Sequence, residues 1–256
     1  MLLTGVNLLL RFVGTSFQVY LSGRIGAEGI GLLQLVLSVG SMALVAGMAG
    51  IRTATMYLTA EELGRKQPQN VVWVLSGCFL YSICFSGCVA AALYHFAPWI
   101  ASVWIGDPRT VDALRLFASF LPVTCLCGVM TGYFTAANRI GTLAAVEVAE
   151  QFCSMALTLG ALTLFAGDDP VRSSMCVILG SSCGCVLTLL CLMILRLREH
   201  APVGPRITIA SRLAQTALPL AIADDFNGIA AFDTSGHDAH KAFAIEFISV
   251  VLDLYG

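Results

Sequence analysis

The sequence predicts an all-α polytopic membrane protein, on three observations. Of its 256 residues 57% are hydrophobic and only 12% are charged, about half the charged share of a soluble domain. Uncharged runs cover residues 30–51, 71–94, 116–137 and 173–195, and each is long enough to cross a hydrocarbon core of about 30 Å as a helix of roughly 20 residues. Basic residues gather in alternate connections between these runs.

Six spans follow in order, at about 2–21, 30–51, 71–95, 114–137, 143–166 and 173–195. The first lacks a basic leader and a small-residue cleavage site, so it reads as a retained helix and not as a removed signal. "SGRIGAEG" connects it to the second span, and the polar stretch "RTATMYLTAEELGRKQPQN" connects the second to the third. The fourth span carries Pro122, which is expected to kink it and free a carbonyl for neighbours to satisfy. Glu147, Glu150 and Gln151 lie in the first turns of the fifth. Carboxylates there are favoured by the helix dipole, and a place in a polar cavity is the alternative.

Beyond the sixth span, residues 212–223 begin another apolar helix and stop short. Twelve residues advance only about 18 Å, little past mid-bilayer. Residues 224–256 hold five aspartates and two histidines and no run able to span. The expected organisation is a six-helix transmembrane lobe at 1–211, the start of a seventh helix at 212–223, and a divergent non-membrane tail at 224–256.

Orientation follows from the connections. One alternate set holds Arg52, Arg65, Lys66, Arg139, Arg196, Arg198, Arg206 and Arg212, and the other only Arg24, Arg109 and Arg172. The excess of Lys and Arg marks the cytoplasmic side, which places the N-terminus in the cytoplasm too. His95, Trp99 and Trp104 then fall at the outer interface.

Several function classes lose support. The net charge is −2 and no basic block offers a nucleic-acid surface. All ten cysteines fall in apolar segments, as small, soft core residues do, and "CLC" and "CGC" lack zinc or redox spacing. The pairs Asp168–Asp169 and Asp224–Asp225 lack the longer acidic spacing of a magnesium-pyrophosphate enzyme site, and "GHDAH" has no further ligands at suitable spacing. The expectation is a protein that is not an enzyme and has neither metal nor other cofactor.

One residue stands out against this apolar background. Thr4, Asn7, Arg11, Gly14 and Gln18 are spaced 3, 4, 3 and 4 along the first span, which puts them on one face of a helix. Gly31, Gln34, Ser38 and Ser41 repeat the pattern in the second. Small and weakly polar residues commonly serve close helix packing, which is the favoured reading of the second span, with a polar cavity face as the alternative. An arginine is no packing residue, and near mid-bilayer it costs about 2.5–3.5 kcal/mol on the insertion scale. Position 11 is too deep for its side chain to reach water by snorkelling. A cavity or substrate path is the expected surrounding. The guanidinium fork matches phosphate oxygens, so an anionic, phosphate-bearing ligand is favoured over an organic cation.

Several segments together resemble the stage V sporulation protein B family of the multidrug/oligosaccharidyl-lipid/polysaccharide exporter superfamily, which also includes MurJ-type lipid II flippases. They are "LLLRFVGTSFQVYLSGRIGAEGIGLLQLVLSVGS", "AGIRTATMYLTAEELGRKQPQNVVWVL", "PWIASVWIGDPRTVDALRLFASFLPV", "GYFTAANRIGTLAAVEVAEQF", "GSSCGCVLTLL" and "RLAQTALPLAIADDF", in the family's order over residues 1–226. The resemblance implies a two-lobed flippase fold in the bacterial cell membrane, of which this chain holds the six-helix N-terminal lobe and the start of the next, truncated near residue 226. It implies a substrate such as an undecaprenyl-pyrophosphate-linked saccharide for peptidoglycan or spore-cortex synthesis, with the binding role carried over to Arg11, and the polar faces of the first two spans add Asn7, Gln18 and Gln34 as candidate binding residues. The bilayer is a partner, and a second lobe or chain is the other. MurJ-type relatives tend to carry a second arginine two turns on, where this chain has Phe17 and Gln18. A cation-coupled multidrug exporter of the same fold and a non-transporting fragment are the competing expectations.

Overall fold

The structure is a computed structural model that describes residues 2–48, 50–165 and 169–198, with side chains from residue 12 onward except those of residues 27 and 68. The expected seventh helix and the tail lie outside the described residues, as does the expected domain boundary at 211/212.

The described chain is helical: α1 (Leu2–Met48), α2 (Ile51–Gly64), α3 (Val71–Trp99), α4 (Val111–Ala136), α5 (Ile140–Phe165) and α6 (Pro170–Leu197). Five stretches among the described residues are long and apolar enough to cross a membrane: Glu28–Gly64, Val71–Ile105, Pro108–Ala136, Ile140–Phe165 and Pro170–Leu197. The chain is an all-α, polytopic membrane protein.

Three expected connections are more helical than their composition suggested. "SGRIGAEG" is no open loop: α1 runs through it and breaks at Gly26, whose φ of 80° and ψ of 169° lie in a region open essentially to glycine alone. The stretch after the second span folds largely as α2, entered from Gly50 in the left-handed conformation at φ 66°. Its buried residues Ile51, Ala54, Thr55, Leu58, Thr59 and Glu62 recur at the 3–4 spacing of one helix face. Threonines and Glu62 on that buried face hide the period from a search for apolar runs. After Pro98, α3 passes into a π-helical turn at Ile100–Ile105 and a short 3₁₀ turn at Pro108–Thr110. Asp107 Oδ1 accepts from the Arg109 backbone N–H at 2.9 Å, which closes the turn before α4.

Two apolar clusters organise the bundle. One gathers Leu33, Val36 and Val39 of α1, Val89 and Leu93 of α3, Leu114 and Leu121 of α4, Leu162 of α5 and Cys176 and Ile178 of α6. The other gathers Ile51 and Leu58 of α2, Val74 and Leu75 of α3, Met130 and Phe134 of α4, Leu143 and Val146 of α5 and Leu192 of α6. Along the chain, α3 passes from the second cluster to the first, and each helix after it passes in the opposite sense to its predecessor. That alternation is the up-and-down crossing of a bundle whose neighbours are joined by short connections. Arg65, Lys66, Arg139, Arg196 and Arg198 flank the second cluster, whereas Glu28, Asp107, Arg109, Asp169 and Arg172 flank the first. The charge asymmetry read from the connections is thus an asymmetry between the two ends of the folded bundle.

Glycines set how closely the helices approach. A Cβ on Gly132 would meet the Arg52 carbonyl oxygen at 2.6 Å, which seats α4 against α2, and one on Gly47 would meet Leu121 at 2.9 Å. The α5–α6 contact is a ladder stepping four residues on both helices. Gly180 faces Thr158, Gly184 faces Ser154, and Thr188 faces Glu150. Leu192 and Val146, one step further, share the second cluster. In lipid, where tails are as apolar as leucine, such small-residue contacts and the dispersion they allow drive helix association. At the other end Ser174 Oγ donates to the Gly29 carbonyl at 3.0 Å, tying the start of α6 to α1 just past its break.

Candidate functional site at the α1–α5–α6 junction

The first half of α1 supplies the polar stripe, and its backbone is helical through Asn7, Arg11, Gly14 and Gln18. The side chains of Asn7 and Arg11 lie outside the described residues. Gly14, three residues after Arg11 on the same face, would carry a Cβ 3.9 Å from Nε2 of Gln151 on α5. At this level the stripe therefore looks toward α5. Phe12, Val19 and Tyr20 on the remaining surface are exposed, as lipid-facing side chains are.

Gln18 and Gln34 are both exposed, on opposite sides of the Gly26 break. Neither enters the core of the bundle. In the second half of α1 Ser41 Oγ donates to the Ser38 carbonyl at 2.8 Å, which satisfies its hydroxyl within the helix and fits the packing alternative for that stripe. Val36 and Val39, on another face of the same stretch, are buried.

Beside Gln151, Glu150 is half-buried within the α5 span. The Thr188 side chain of α6 lies against its carboxylate, and Glu147 stands one turn back. Thr188 is buried. Two sulfurs complete the surroundings: Cys127 of α4 and Cys185 of α6 lie within electrostatic reach of Glu150. The fold thus gathers a carboxylate, an amide, a hydroxyl and two thiols from three helices at one level, next to the face of α1 that carries Arg11. Glu147, Glu150 and Gln151 stand out in the sequence as possible cavity residues, and Cys127 and Cys185 stand out only as members of "CLC" and "CGC", whereas Thr188 does not stand out on its own. The available signal was the Gly180–Gly184–Thr188 spacing on α6.

Polar side chains at the second-cluster end perform a different task. Glu62 is 4% exposed, and Asn70 Nδ2 donates to its Oε2 at 3.0 Å and to Gln67 Oε1 at 2.7 Å. This closes the connection between α2 and α3. The Arg196 guanidinium lies 4.9 Å from the centre of the Tyr133 ring, within cation–π range. At the opposite end Arg115 lies 5.2 Å from the Tyr94 ring, and Arg109 reaches Glu28 at 3.6 Å with both side chains exposed. A pair so exposed contributes at most about 1 kcal/mol.

Comparison with known proteins gives this arrangement its family. The MatE family model matches residues 4–158. The chain is 24% identical over 207 residues to "Stage V sporulation protein B" of Bacillus subtilis (strain 168), a match covering 78% of this chain and 40% of that protein. The match therefore covers less than half the length of that relative. No solved structure matches. The match takes in α1 with its polar stripe, α2 to α4 and most of α5, more than half of the chain, and by it this all-α, multi-pass membrane protein belongs to the MatE family.

Proposed function

We propose that this chain is the N-terminal lobe of a membrane flippase that translocates a lipid-linked, pyrophosphate-bearing saccharide precursor for peptidoglycan or spore-cortex synthesis. The observation that carries it is Arg11 on the polar stripe of a MatE-family first helix. A permanently charged fork inside a membrane span is costly unless it serves a polar path, and it suits pyrophosphate oxygens better than a cationic drug. Asn7, Gln18 and Gln34 supply further hydrogen bonds to the head group. The exposure of Gln18 and Gln34 suits residues that meet substrate at the surface of the lobe and not within it. Alternating access requires two bodies about a shared site. The lobe at residues 1–211 therefore works with a second lobe or second chain, in the bacterial cell membrane with its N-terminus in the cytoplasm.

Vesicles containing this lobe completed by a second lobe, with a fluorescent undecaprenyl-pyrophosphate saccharide, test this directly. Transport should be lost in Arg11→Ala with membrane insertion intact, and partly kept in Arg11→Lys, which retains the charge but not the fork. Normal transport by Arg11→Ala overturns the proposal.

A second reading has one observation in its favour. Glu150, half-buried within a span beside Thr188 and Gln151, suits the holding of a proton or a monovalent cation in an ion-coupled multidrug exporter of the same fold. Efflux of organic cations from intact cells, lost in Glu150→Gln and kept in Arg11→Ala, would favour that reading over the flippase.

A further inference from the structure

We propose that Cys127 and Cys185 form an oxidisable dithiol that closes to a disulfide between α4 and α6 when a lipid-soluble quinone is available. Each is the second cysteine of a short pair, "CLC" in α4 and "CGC" in α6. The fold brings those two members together across 58 residues of chain, with their Sγ atoms 3.4 Å apart. The pair is oriented by its neighbours. Cys127 Sγ donates to the Cys185 carbonyl at 3.3 Å, and Cys185 Sγ lies 3.7 Å from Thr124 Oγ1 one turn back on α4. Both residues are half-buried, as is Cys153, whereas Cys78, Cys125 and Cys176 are buried and Cys84, Cys88, Cys183 and Cys191 are exposed. Gly184 beside Cys185 presses against Ser154, so α6 is held within the bundle at this level.

A disulfide requires the two sulfurs to close to about 2.05 Å with Cβ atoms about 3.8 Å apart. The sulfurs already stand 3.4 Å apart, so about 1.4 Å of approach separates them from the bond length. Among the described residues no group of three His, Cys, Asp or Glu could hold a metal ion, so no metal cage competes for the pair there. The sulfurs lie inside membrane-spanning helices, where the oxidant must be dissolved in the bilayer. Both S–H bonds break and one S–S bond forms. The two electrons and two protons pass to the quinone, which leaves as the quinol. The bond ties α4 to α6 beside Glu150 and fixes their separation there.

The test uses the whole chain in liposomes with decylubiquinone, whose fully substituted ring takes no thiol adduct, and with copper–phenanthroline as a second oxidant. Remaining thiols are alkylated and counted on the intact protein. Of the ten cysteines, about eight should take label after oxidation and all ten after dithiothreitol. A non-reducing digest should join the peptides of Cys127 and Cys185. Cys127→Ser and Cys185→Ser should each keep the same label count with and without oxidant. Full labelling after both oxidants, or a link joining other cysteines, overturns the proposal. The peptide link in the unmodified chain decides the matter even where a serine variant fails to fold.

Discussion

Gly180 of α6 lies so close to Thr158 of α5 that a Cβ on the glycine would meet the Thr158 Cα and N at 2.7 Å. Real Cβ atoms do not approach backbone this closely, and backbone cannot swing aside as a side-chain end can. Gly180→Ala should push α6 off α5 and lower stability by about 1–3 kcal/mol, the usual cost of overpacking. Gly160 on the same α5 has nothing within 4 Å of its would-be Cβ. Gly160→Ala should be neutral or stabilising by up to about 1 kcal/mol, since alanine favours a helix interior over glycine. Thermal midpoints of both variants in one detergent check the pair.

The break within α1 rests on Gly26 at φ 80° and ψ 169°. No neighbour lies within 4 Å of a Cβ there, so Gly26→Ala should act through backbone strain alone, of order 1–3 kcal/mol. Gly31→Ala, five residues on, helical and equally open, should be neutral or stabilising by up to about 1 kcal/mol. The comparison is again one of thermal midpoints, and equal behaviour of the two variants would show that the break carries no strain.

Asn70 holds the buried Glu62 by a hydrogen bond of 3.0 Å. Hydrogen bonds to charged groups contribute about 1.5–3 kcal/mol. Asn70→Ala should cost about that and expose the connection between α2 and α3 to protease, cleaved near Lys66. Glu62→Gln keeps the acceptor oxygen and should cost less than Asn70→Ala. Limited proteolysis alongside a melting curve reads both effects.

The two ends of the bundle should face opposite sides of the membrane. Cysteines placed at Lys66 and at Arg109, in a background with the natural cysteines replaced, should react with an impermeant maleimide from opposite sides. Both positions are exposed. Reaction of both from one side would contradict the alternating passage of α3 to α6 between the two clusters. With the N-terminus in the cytoplasm, Arg109 is the one that labels in intact cells.

By itself the sequence determined the membrane class, the order of the apolar segments and the grouping of basic residues. Each is a local or additive property: an uncharged run of about 20 residues needs no partner to prefer a bilayer, and the basic residues can be counted without a fold. The stripe through Arg11 was legible for the same reason, since helical spacing alone gathers its members on one face. Only the tertiary structure decided that "RTATMYLTAEELG" is the helix α2, because its buried face includes Thr55, Thr59 and Glu62, whose burial depends on the helices that cover them. Only it brought Thr188 to Glu150 and Cys127 to Cys185. The first meeting depends on the register of α6 against α5, which the glycines of α6 set by seating against Ser154 and Thr158, and the second on the register of α6 against α4. A register is a relation between two segments, and neither segment carries it alone.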